Sequence, residues 1–196
     1  MNTLEKRIVE LSFAHKLTHV SSCLNTVNLL AWIYEERGKD DPVCLDNSHA
    51  ALALYVVLEK HGYCDAEEMV RKHGTHASRD IEHGIYVSGG SLGQVSTVAI
   101  GLALANKERT VWLVTSDGAA MEGCVTESLR FGKKLKNLRA WIVFNGLGAY
   151  GKIDESDLPS HAELFEVDEN RYPPWLRGLA GHYLTLTEQQ RDELMA

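Results

Sequence analysis

The chain has 196 residues, enough for one domain with a substantial buried core. Hydrophobic residues make up 44% and charged residues 24%, with only 4 prolines, a balance that excludes a disordered chain. The formal net charge of −7 argues against a duplex-binding surface, because neutralising phosphates needs clustered Lys and Arg.

Leu4, Ile8 and Leu11, followed by Leu17, recur at helical spacing and predict an amphipathic helix over 3–17. A second helix is expected from about residue 24 to 37, closed by a cap at Gly38. Asp46-Asn47-Ser48 offers capping side chains to a third helix, which runs from His49 to about Lys60 and stops at His61-Gly62. A short helix follows over 65–73. Residues 85–87, Ile-Tyr-Val, read as a short strand, followed by the glycine-rich turn Ser88-Gly89-Gly90-Ser91-Leu92-Gly93. A helix of small residues is expected over 95–106. Residues 110–115 form a compact apolar run, as in a strand buried on both faces. Ser116-Asp117-Gly118 ends it, and a helix follows from about 122 to 135, where Lys133, Lys134 and Lys136 read equally well as a solvated face or a ligand contact. Residues 139–144 repeat the buried-strand pattern and end at Asn145-Gly146. Strand, helix, strand in that order predicts an α/β domain, a doubly wound parallel sheet with helices on both faces. Pro173-Pro174 interrupts the remainder, and 187–195 reads as a final helix.

The four cysteines, Cys23, Cys44, Cys64 and Cys124, form no C-x-x-C pair and fit neither a zinc knuckle nor a redox motif. The opening residues lack the apolar core of a signal peptide, and no stretch approaches the ~18 apolar residues of a membrane span. The expectation is a cytoplasmic protein.

Ligands of an open parallel sheet collect beyond the carboxyl ends of its strands. Two such ends carry oxygen-bearing side chains, Asp117 and Asn145. Neighbouring strands lie about 4.8 Å apart, so the two can converge on one hard cation, Mg²⁺ with a diphosphate as its other ligand. Asp-Gly and Asn-Gly are also ordinary turn formers, and Asp117 can equally cap the next helix. Gly89, Gly90 and Gly93 precede a helix, so backbone amides there can receive phosphate oxygens or simply form a tight turn beneath a packed helix. The segment fits neither G-x-x-x-x-G-K-[ST] nor G-x-G-x-x-G. His15 and His19 stand at i, i+4, a zinc spacing, but no third ligand is in register.

These pieces combine into a resemblance. Ser116-Asp117-Gly118 with Phe144-Asn145, separated by residues 119–143, resembles the G-D-G…N-N signature of thiamine-diphosphate enzymes. Glu122-Gly123 and Glu127-Ser128 look like the E-G-x-x-x-E-A stretch of transketolases, and Gly90 to Gln94 matches their G-S-L-G-Q turn. The stretch from Asn47 to Tyr55 resembles the family's G-H-A-A-L-A-L-Y, and that from Thr18 to Asn25 its G-H-x-G-S-x-L-S. Five motifs in the family's order span roughly residues 10–155.

The resemblance implies a diphosphate-binding domain over 1–196, with Asp117, Asn145 and the backbone carbonyl of Leu147 as Mg²⁺ ligands. It implies cofactor contacts from Gly90, Ser91, Leu92, Gly93, Gly118 and Glu122 to thiamine diphosphate. It places His19, His49 and His76, with Glu122, in the catalytic set along a substrate channel. Ser116, Phe144, Ser21 and Val95 depart from the pattern. The family binds its cofactor between two domains, and nothing after residue 155 resembles the pyrimidine-binding one. The expected partner is therefore a pyrimidine-domain subunit, in a heterodimer or a dimer of heterodimers. The implied reaction moves a short, two-carbon unit from a ketose or 2-oxo-acid donor. A catalytically degenerate regulatory subunit, or a split 2-oxo-acid decarboxylase or dehydrogenase component, stands as the alternative.

Overall fold

Four parallel strands carry the fold, and alternation along them divides the core in two. The computed structural model describes residues 1–148 and 151–196. In chain order these form α1 (Thr3–Ala14), α2 (Val20–Glu36), β1 (Val43–Leu45), α3 (Ala51–Lys60), α4 (Ala66–His73), α5 (Gln94–Ala105) and β2 (Val111–Ser116). There follow α6 (Asp117–Ala120), α7 (Gly123–Gly132), β3 (Leu138–Phe144), β4 (Leu147–Gly148), β5 (Gly151–Lys152), β6 (Glu163–Glu166), α8 (Gly178–His182) and α9 (Glu188–Met195). The main sheet has the order β1-β2-β3-β6, every pair parallel, while β4 and β5 make a separate antiparallel pair.

Successive side chains of a strand point to opposite faces. Trp112 and Val114 of β2, Val143 of β3, and Val43 and Leu45 of β1 accordingly join one core with α1 to α4. Val111, Leu113, Ala140, Ile142 and Cys44 join the other, with Val95, Ala99 and Ala103 of α5 and Val125 and Leu129 of α7. The α/β expectation with helices on both faces is thereby borne out. Among the described residues, no helix is long and apolar enough to cross a membrane.

Several elements differ from expectation. The helix expected from residue 24 begins at Val20, because His19 takes a left-handed conformation (φ 62°) and turns the chain into it. It ends without a glycine cap: Arg37 is extended, and the Gly38 N–H donates to Asp41. Residues 85–87 are not a strand. Ile85 is buried in the first core and Val87 in the second, so the apolar residues reflect a crossing between layers, with an isolated bridge from Ile85 to Asp80. Asp46-Asn47-Ser48 does not cap α3. A 3₁₀ turn over Ser48–Ala50 leads into that helix, and the Asp46 carboxylate points elsewhere.

Candidate functional site

The sheet's carboxyl ends open into a cleft of about 650 Å³. At the end of β2, the Ser116 hydroxyl accepts from the Ala119 N–H and caps α6, which frees Asp117 from that duty. The Asp117 carboxylate is 4% exposed and reaches across to the end of β3. Its Oδ2 accepts from the N–H groups of Asn145 (3.0 Å) and Gly146 (2.9 Å), and its Oδ1 from the Gly118 N–H (2.8 Å). Burial raises its pKa, opposed by those amides. Among the described residues it has no Lys, Arg or His ion-pair partner.

Asn145 donates from Nδ2 to Glu169 (2.6 Å) and accepts at Oδ1 from the Leu147 N–H (3.0 Å). Glu169 also accepts from Asn25 Nδ2 (3.1 Å) and the Gly178 N–H (3.1 Å). Asp117 Oδ1 and Asn145 Oδ1 each keep one uncommitted lone pair. Two hard oxygens, one of them on a buried carboxylate without a cation, fit Mg²⁺ or Ca²⁺. Leu147 lines the cleft beside them, and a Cβ added to Gly118 would meet nothing nearer than Gly148 Cα at 4.0 Å, which leaves an open shelf for a ligand.

The glycine-rich turn divides. Gly90 and Leu92 line the cleft, whereas Ser91 and Gly93 do not. Gly93 (φ 82°) serves packing: a Cβ there would fall 2.5 Å from Cys124 Sγ. Of the amides along this turn, that of Gly93 is committed to Asp46, whose carboxylate accepts from the Gly93 N–H (3.2 Å), the Val95 N–H (3.0 Å) and the Thr115 hydroxyl (2.9 Å). Glu122 is exposed, lines the cleft and precedes α7.

The same cleft is lined by a wall of His19, His49 and His76, joined by His182. The His19 ring lies 5.0 Å from that of His49, 6.4 Å from His76 and 4.3 Å from His182, centroid to centroid. Burial, reinforced by the neighbouring rings, lowers the pKa of His19 to about 4 and that of His49 to about 3; burial also lowers that of His182. These rings are neutral at pH 7, able to donate at one nitrogen and accept at the other. Sequence reasoning alone misses His182, Glu169 and Asp46. The first two lie in a stretch without clear periodicity, and Asp46 reads as a local cap.

No family model matches the chain. It is 29% identical to one subunit of the apulose-4-phosphate transketolase of Phocaeicola vulgatus, over 76% of this chain and 61% of the relative. It is 30% identical to the 6-deoxy-6-sulfo-D-fructose transketolase subunit SqwG of Clostridium sp. (strain MSTE9), over 70% of this chain and 58% of the relative. Its relatives are transketolases. A transketolase of Rhodobacter capsulatus is 26% identical over 64% of this chain, which spans 22% of that protein. The chain thus spans about three-fifths of the two transketolase subunits it matches.

Proposed function

We propose that this chain is the diphosphate-binding subunit of a split transketolase-like transferase, dependent on thiamine diphosphate and Mg²⁺. The observation that carries the reading is the hydrogen-bonded pairing of Asp117 with the Asn145 backbone at adjacent strand ends, in one cleft with four histidines. Two relatives named as transketolase subunits support it.

Asp117, Asn145 and the Leu147 carbonyl would hold the metal, and Gly118 would let a diphosphate approach. Thiamine diphosphate, when bound, supplies a nucleophilic carbon that carries the transferred unit. The neutral imidazoles of His19, His49 and His182 hold substrate hydroxyls by accepting or donating hydrogen bonds, and one of them takes a hydroxyl proton as the donor ketose is cleaved. Leu92 and Met121 line the cleft and contribute apolar surface to it. Residues 1–196 form one diphosphate-binding domain in this reading, and the aminopyrimidine ring is held by a partner chain. The relatives' names, an apulose phosphate and a sulfofructose, put ketose sugars first among candidate donors.

The test is an assay of ketose-donor turnover with thiamine diphosphate and Mg²⁺, first on the chain alone and then with candidate pyrimidine-domain partners. Turnover is expected only in the mixture. Robust turnover by the lone chain would overturn the split reading, and turnover indifferent to thiamine diphosphate would overturn the cofactor.

A further inference from the structure

His19, His49 and His182 come from three separate parts of the chain: the residue before α2, the Ser48–Ala50 turn, and the last residue of α8. One ligand atom from each lies within 4.8 Å of the other two. We propose that this triad is a binding site for a late first-row divalent cation, Zn²⁺ foremost, separate from the oxygen-donor site at Asp117 and Asn145. It goes beyond the transferase reading and does not rest on it.

The donor set selects the metal. Imidazole nitrogens suit Zn²⁺, Ni²⁺ and Cu²⁺, whereas Mg²⁺ and Ca²⁺ take oxygens. Atoms no more than 4.8 Å apart share a point within about 2.8 Å of all three, so a closure of about 0.7 Å at each ring reaches Zn–N bonds of about 2.1 Å. The His19 N–H donates to the His182 carbonyl at 2.9 Å and ties two of the three ligands together.

Among the described residues, no ring nitrogen of the three has a hydrogen-bond partner. His19 is 8% exposed, and its Nδ1 is buried without one. An unpartnered buried polar atom is destabilising, and coordination at that nitrogen would relieve it. Burial holds the rings in the neutral form that ligates. His15, the residue whose spacing from His19 suggested zinc in the sequence, is engaged with Glu67 at 3.2 Å and takes no part. All three ligands line the cleft, so the fourth tetrahedral position falls to water or to a hydroxyl of the cleft's occupant. A cation here occupies the histidine wall and competes with binding that needs free imidazoles.

The experiment uses the untagged full chain, stripped of metal by a chelator and carrying Cys124→Ser so that the exposed thiol cannot ligate. Zn²⁺ alone is titrated against a chromophoric chelator, and Co²⁺ is added separately for its visible absorption. One Zn²⁺ per chain is expected, with a dissociation constant of about 1 µM or tighter and tetrahedral Co²⁺ bands. His49→Ala and His182→Ala should each weaken Zn²⁺ binding about 100-fold or more, whereas Asp117→Asn should change it less than about threefold. Far-UV circular dichroism checks that each variant is folded. Binding weaker than about 10 µM, or binding that survives either histidine substitution in a folded chain, overturns the proposal.

Discussion

At the scale of single residues, the cleft is organised by acceptors that fix the orientation of amides. Asn25 and Asn145 both turn their NH₂ groups toward the Glu169 carboxylate, an acceptor, and their carbonyl oxygens point away. Asn145 Oδ1 is thereby committed to the side where the Leu147 N–H and the proposed cation lie. Asp117 supplies the charge and Glu169 the orientation, and the two contributions separate by substitution. Asp117→Asn keeps the shape and removes the charge; thiamine-diphosphate affinity in the assembled complex, measured by calorimetry with Mg²⁺, should fall about 100-fold. Glu169→Gln keeps the volume but weakens the hold on the amides, and a fall of about 10-fold is expected. Unchanged affinity in Asp117→Asn would remove the metal assignment.

At the scale of elements, Asp46 fastens the end of β1 to the start of α5 and to β2. Its carboxylate is fully buried and satisfies two backbone N–H groups and one hydroxyl, while burial raises its pKa. Asp46→Ala strands those donors in the core. A loss of about 3 kcal/mol is expected, read in thermal unfolding as a fall of about 6–12 °C. A change within about 2 °C would show that water or repacking serves the donors equally well. This staple also shows where sequence reasoning stops. Strands β2 and β3 are legible because both faces are buried, giving unbroken apolar runs that end in Asp117 and Asn145. β1 has three residues and β6 reads Glu-Leu-Phe-Glu, too short or too charged to register as periodic. The partners of Asp46, Glu169 and His182 are tertiary, and no local spacing encodes them. Among the histidines, the motifs point to His19 and His49 and the wider resemblance adds His76, and the fold brings these near one another. His182 joins them only because α8 packs on α2.

For the molecule as a whole, the histidine wall couples stability to acidity. The unfolded chain protonates these rings near pH 6.5, whereas the folded chain holds His19 at about 4 and His49 at about 3. Between those values the unfolded state binds more protons, so stability is full above about pH 6.5 and declines as pH falls through that window. Allowing for coupling between the rings and partial exposure, the pair should cost about 1–2 kcal/mol at pH 5 relative to pH 7.5. Asp46 and Asp117, whose pKa values are raised, push the opposite way. The informative measurement is therefore a comparison of urea midpoints at the two pH values in the parent chain and in His49→Gln. The substitution should flatten the profile, and parallel profiles would count against buried neutral rings. The outer surface bears on assembly: α5 faces the sheet with Val95, Ala99 and Ala103 yet exposes Val98 (47%) and Leu104 (48%), apolar groups suited to the proposed partner.

His19 sets usefulness against endurance. Its left-handed backbone (φ 62°) costs a non-glycine residue about 1–2 kcal/mol, and its unpartnered nitrogen adds to that burden. Glycine at this position would remove both penalties and the imidazole together. A library of variants sorted only by survival at high temperature would therefore enrich the replacement that dismantles the histidine wall. Anyone hardening this chain for practical use would need to screen for binding at every round, because heat resistance by itself rewards an emptier cleft.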